Sequence, residues 1–166
     1  MRTIIRNATL VNEGLSFLGH LVIEDECISE TPLEHESPSA PCDVDIDATG
    51  MFLIPGVIDD HVHFRDPGLT HKADIVSESC AAAAGGVTSY MDMPNTIPQT
   101  TSIETLEAKF AEASTKSMVN YSFFFGATND NAAILPFLDK QKLCGVKLFM
   151  GSSTGNMLVD RMESLQ

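Results

Sequence analysis

Basic side chains are scarce in this chain. Ten Lys and Arg stand against 23 Asp and Glu among 166 residues, a net charge of −13, and between Arg6 and Arg65 there is no Lys or Arg at all. Nucleic acid and anionic lipid both require a basic footprint, so neither is an expected partner. The four cysteines, Cys27, Cys42, Cys80 and Cys144, form no C-x-x-C pair. That spacing excludes a paired zinc or redox motif, and the chain is too long to depend on a small disulfide framework, so they read as free thiols in a reducing compartment. No apolar run approaches the roughly 18 residues of a membrane span. The stretch 7–19 is broken by Asn12, Glu13 and Gly14 and offers no signal-peptide core, which leaves the sequons at Asn7 and Asn120 with little meaning. The expected location is the cytoplasm.

What is present suits a globular fold: 43% of residues are hydrophobic and 20% charged, enough to build a core. Twelve of the 23 acids lie between Arg6 and Arg65, which sets the first third apart. Thr3-Ile4-Ile5, Leu21-Val22-Ile23 and Val44-Asp45-Ile46-Asp47 are short β-prone runs between Gly, Pro, Ser and Asn. Residues 1–54 therefore read as an all-β unit, with 29–41 an acidic solvated loop.

From 55 to 166 short apolar runs alternate with helical ones. Strands are expected at 56–63, 87–93, 119–125 and 145–150, and helices at 72–84, 101–114 and 130–142. The first helix ends at Gly85-Gly86, suited to a left-handed exit. The second opens on Thr101-x-x-Glu104, a capping-box pattern, and the third contains Pro136, which must kink or restart it. A last apolar-periodic run holds Met157, Leu158, Met162 and Leu165. Four βα units, the last incomplete, imply a parallel sheet, either open and doubly wound or closing into an eight-stranded barrel. In both architectures functional groups gather at the carboxyl ends of the strands.

At the first such end stand His61 and His63. Period-2 alternation puts both on one face, about 6.5 Å apart along the strand, where they can converge on one cation, zinc above all. Alone, H-x-H is weak, and two packed histidines are the plainer reading. Asp59 on the same face and Arg65 two residues beyond make this strand end unusually polar. Lys147 lies within Val146-Lys147-Leu148-Phe149. On an edge strand it would sit in solvent; on an interior strand its desolvated amine would be nucleophilic and could take up carbon dioxide as a carbamate. Asn95, in Met93-Pro94-Asn95-Thr96, is either an ordinary turn residue or a hydrogen-bonding group at the mouth of a site. Gly151 to Asn156 is a small polar loop able to offer backbone N–H groups to an anion, without the spacing or lysine of a P-loop.

The segment from Ile54 through Pro55-Gly56-Val57-Ile58-Asp59-Asp60-His61-Val62-His63-Phe64-Arg65-Asp66-Pro67-Gly68, with Gly85-Gly86-Val87-Thr88 and Met93-Pro94-Asn95-Thr96, resembles dihydroorotase of the amidohydrolase superfamily. The resemblance covers the whole chain. It implies an α/β fold: the first half of a metal-dependent (β/α)8 TIM barrel, preceded by part of a small β-sandwich. It also implies that His61 and His63 ligate metal, that Lys147 is carboxylated and bridges two zinc ions, and that Arg65 and Asn95 hold the substrate carboxylate. Arginine after H-x-H-F separates dihydroorotase from allantoinases and hydantoinases, which usually lack it, and its fork suits a carboxylate. Asp60 departs from the pattern at a position that is usually apolar.

The expected partner is a small molecule bearing a carboxylate, and a homo-oligomer is compatible with the reading. No histidine follows Lys147, although the family draws two more histidines and an aspartate, the general acid/base, from later strands. His20 and His35 read as surface residues, and His71 as a residue of the site rim. A barrel of this type typically needs about 250 residues, so the length reads as a boundary within a larger enzyme. The 166 residues alone are expected to be inactive and, with two open sheet edges, to self-associate. A hydantoinase, dihydropyrimidinase or allantoinase, or a non-catalytic scaffold homologue, are the rival readings.

Overall fold

The computed structural model describes residues 1–151 and 157–165. The chain divides into two compact units, Met1–Pro55 and Gly56–Gln166.

The first unit is a five-stranded sheet built on β1 (Arg2–Asn12) and β2 (Leu15–Glu24). The two form a hairpin through Glu13 and Gly14, both at positive φ, as a two-residue turn matching strand twist requires. β3 (Cys27–Glu30) pairs antiparallel with β2, while β4 (Val44–Asp47) and β5 (Phe52–Leu53) run parallel to β1. Strand β3 takes the first two residues of the expected loop at 29–41, and Leu33 makes a further bridge to Gly19. Ile4, Ala8, Leu10, Val22 and Ala48 form the buried apolar positions of this unit. His20 is buried rather than superficial. β1 shifts register between Ile5 and Ala8, where Asn7 has φ +61°. The Asn7 N–H donates to His20 Nδ1 at 3.1 Å, so Nε2 carries the proton and donates to the Glu34 carbonyl at 3.2 Å. His20 thus satisfies a part-buried backbone N–H that the register shift leaves out of the ladder, and ties down the following loop. His35 and His71 are exposed.

The second unit alternates strand and helix: β6 (Val57–Val62), α1 (Ile75–Ala84), β7 (Val87–Asp92), α2 (Ile103–Lys116), β8 (Asn120–Gly126), a 3-10 turn (Ala132–Phe137), β9 (Gly145–Lys147) and α3 (Met162–Leu165). The strands are all parallel in the order β6-β7-β8-β9. Three expectations need correction. The helix expected over 130–142 is only the 3-10 turn, because Pro136 supplies no N–H for an α-helical ladder. The last strand stops at Lys147 instead of reaching 150. The cap of α2 is Ser102, not Thr101: its hydroxyl accepts from Thr105 N–H, and Thr105 returns the bond to the Ser102 N–H. Competition between neighbouring hydroxyls shifted the box by one residue. Gly86, at φ +84°, makes the left-handed exit from α1. The loop 152–156 lies outside the described residues.

The core packs α1 and α2 on one face of the sheet. Phe64, Ile75, Tyr90, Leu106, Ala113, Phe123 and Phe125 are buried together, and Phe110 meets Phe123 edge to face at 4.8 Å between centroids. Helix α2 buries the stripe Leu106, Lys109 and Ala113, the spacing of one helical face. A lysine on that stripe is unusual, and its partner explains it. Lys109 Nζ lies 2.6 Å from Asp92 Oδ2, with both side chains 1% exposed, and also donates to the Met93 carbonyl at 3.1 Å. Its ammonium stands 4.7 Å above the Phe123 ring. Burial pushes the Lys109 pKa below its ordinary value, and the neighbouring Asp92 opposes that shift.

Removing one partner of such a pair strands a charge out of water. Lys109→Ala is expected to cost about 3–5 kcal/mol in chemical unfolding, and the double change Lys109→Met with Asp92→Asn to recover much of it. A loss below about 1 kcal/mol for the single variant would contradict this account.

Candidate active site at the carboxyl ends of the strands

Because β6 to β9 are parallel, their carboxyl ends share one edge of the sheet, and four of the five candidate residues collect there beside β6 and β7. His61 is the penultimate residue of β6, exposed, and His63 follows the strand, half-buried. Their ring centroids are 5.5 Å apart. Asp59 is exposed and spends Oδ1 on the His61 backbone N–H at 3.1 Å.

His63 Nδ1 lies 2.8 Å from Asn95 Oδ1. An amide oxygen only accepts, so Nδ1 is the protonated nitrogen and the lone pair of the neutral ring is on Nε2. Burial holds the His63 pKa below its usual value; the Asn95 bond works against this, and nearby Arg65 adds to it. The imidazole is therefore neutral at pH 7, the form that binds a metal, with its other nitrogen oriented by a hydrogen bond as in established metal sites.

Arg65 and Asn95 line one cleft of about 420 Å³, together with Leu69, Lys72, Thr96 and Gln99. Two loops form its walls, 65–72 after β6 and 94–99 after β7. They are joined by the Ile97 N–H donating to the Pro67 carbonyl at 3.1 Å. Gly68 makes that approach feasible. It has φ +83°, and a Cβ there would lie 2.0 Å from the Ile97 carbonyl oxygen.

Lys147 ends β9 on the same edge, but β7 and β8 stand between it and the histidines. It is half-buried, and its ammonium lies 5.3 Å from the Phe149 ring centroid. Among the described residues no group of three or more His, Cys, Asp and Glu side chains could hold a metal ion. The donor set offered here is the histidine pair, one member with its tautomer fixed. That chemistry fits a metal as part of a larger ligand set.

Four residues of this region escaped the sequence reading: Asp92, Lys109, Asp66 and Lys116. Two of them left a signal in the sequence. Asp92 interrupts the apolar run Tyr90-Met91-Asp92-Met93, and Lys109 falls on the apolar stripe of α2.

The family model for dihydro-orotase-like domains matches residues 50–134, just over half of the chain and the part that contains His61, His63, Arg65 and Asn95. The chain belongs to the dihydroorotase-like family. Among its curated relatives, the dihydroorotase of Methanosarcina acetivorans is 39% identical over 118 residues, covering 71% of this chain and 25% of that protein. The multifunctional protein CAD of Squalus acanthias is 31% identical over 148 residues, 86% of this chain and 7% of that one. The chain thus spans about a quarter of the length of the Methanosarcina dihydroorotases it matches. Among solved structures, L-hydantoinase (dihydropyrimidinase) from Arthrobacter aurescens superposes with a TM-score of 0.86 at 26% identity, over 98% of this chain and 36% of that one. A D-hydantoinase from Bacillus sp. AR9 gives 0.79 at 27% identity, with coverage of 98% and 36%. The second unit is accordingly the opening part of an amidohydrolase barrel.

Gly68→Ala in this family member must either rotate the backbone out of the left-handed region or push Ile97 away. Expected outcomes are a loss of at least about 1 kcal/mol in stability and a displaced Arg65 in a crystal structure. An unchanged 65–72 loop would show that the close approach does not position it.

Proposed function

We propose that this chain is the N-terminal part of a zinc-dependent dihydroorotase, a cytoplasmic enzyme of pyrimidine biosynthesis that interconverts N-carbamoyl-L-aspartate and dihydroorotate. One observation carries the reading: Arg65 and Asn95 line the same cleft, and Asn95 is hydrogen-bonded to His63. A group that recognises carboxylate is thereby coupled to a group that binds metal. Dihydroorotate carries a carboxylate on the ring whose amide is to be opened.

His61 and His63 would hold zinc through imidazole nitrogens, and Lys147, carboxylated by attack of its neutral amine on carbon dioxide with loss of a proton, would add an anionic oxygen ligand to the set. Zinc bound there supplies Lewis acidity that polarises the ring amide carbonyl and acidifies water. Arg65 offers a planar fork of N–H donors to the substrate carboxylate. Asn95 restrains His63 and borders the same cleft, so ring and histidine pair are held in register, which converts binding into a near-attack geometry. Proton transfer to the leaving nitrogen belongs to an aspartate of the later barrel strands.

The hydantoinase structures that superpose on this chain favour a second reading, the same chemistry on an uncharged ring. Substrate charge distinguishes the two. In the full polypeptide, metal analysis should find zinc, and Arg65→Ala should lower kcat/KM for dihydroorotate by on the order of 10- to 100-fold, the worth of a charge-assisted hydrogen bond. An uncharged cyclic amide should lose little. Absence of metal, or ring opening indifferent to Arg65, would sink the assignment.

A further inference from the structure

Arg65 sits at φ +67°. A non-glycine residue held in the left-handed region is strained and persists only where its surroundings over-determine it. Here each neighbour is held by a buried carboxylate. On the amino side, the Phe64 N–H donates to Asp92 Oδ1 at 2.9 Å. On the carboxyl side, the Asp66 carboxylate, in a residue only 1% exposed, accepts from the Ile75 N–H at 3.3 Å and from Lys116 Nζ at 2.9 Å.

Both carboxylates are met by lysines of one helix. Lys109 takes Asp92 and also the Met93 carbonyl, two residues before Asn95. Lys116 takes Asp66 and is steadied by Glu112 at 2.5 Å. The two lysines are seven residues apart, two turns and about 10.5 Å along one face of α2. Neither touches the cleft lined by Arg65 and Asn95.

We propose that α2 is a clamp: Lys109 and Lys116, acting through Asp92 and Asp66, fix the strained backbone of Arg65 and so set the affinity of the site for a carboxylated ring. They are positioning residues. The inference rests on the reading of Arg65 as the carboxylate-binding group.

Lys116→Met is the informative variant, since Lys116 is 33% exposed and Asp66 keeps its bond to the start of α1. In the full metal-loaded polypeptide, KM for dihydroorotate should rise about tenfold with kcat within about twofold, while the same ring lacking the carboxylate is opened at an unchanged rate. Lys116→Arg should restore KM to within about threefold. Equal losses on both rings, or an unchanged KM, would overturn the clamp. Should the parent enzyme fail to open dihydroorotate, the functional reading fails and the clamp is decided by crystallography of the same variants. Arg65 leaving positive φ in Lys116→Met and returning to it in Lys116→Arg supports the clamp; a backbone unmoved in both overturns it.

Discussion

The second unit is organised around one ion pair removed from water. A carboxylate and an ammonium each 1% exposed are tolerable only because every charged group has further partners: Asp92 receives a backbone N–H, and Lys109 reaches a carbonyl and faces an aromatic ring. Desolvation alone would make such a pair a poor stabiliser. What it supplies is connection. A single contact between β7 and α2 reaches the backbone of the β6 exit through Phe64 and of the β7 exit through Met93. Those exits carry His63, Arg65 and Asn95. The apolar core of Phe64, Tyr90 and Phe123 keeps water out and thereby keeps the pair strong.

Much of the fold was legible in the sequence because its local signals agree. Strands β6, β7 and β8 and helices α1 and α2 lie within a few residues of where apolar periodicity and glycine placement put them, and the family model and the superposed structures support the amidohydrolase barrel. The errors have physical causes. A helical pattern over 130–142 contains a proline that α-geometry cannot accommodate, and adjacent hydroxyls at 101 and 102 both suit a cap. His20 looked superficial because nothing in its own segment announces a bulge thirteen residues earlier whose N–H needs an acceptor.

The candidate site was legible only in part, for a different reason. His61, His63 and Arg65 lie within five residues and share one strand end, so short-range pattern suffices to group them. Asn95 joins them through a bond spanning 32 positions. Of the lysines of α2, Lys109 meets the β7 exit across 16 positions and Lys116 meets Asp66 across 50. Charged residues on an otherwise apolar helix face or inside an apolar strand are the sequence mark of such long-range pairs, and matching the two sides requires the topology.

The seven-residue interval between Lys109 and Lys116 restricts how α2 can change in length. Inserting or deleting one residue between them would turn one lysine about 100° around the helix axis relative to the other, carrying it off the face that meets the carboxylates. Substitution leaves the phase intact, whereas indels inside the interval do not. Length variation among related chains should therefore fall before Lys109 or beyond Lys116, with the helix between them behaving as a ruler of fixed pitch.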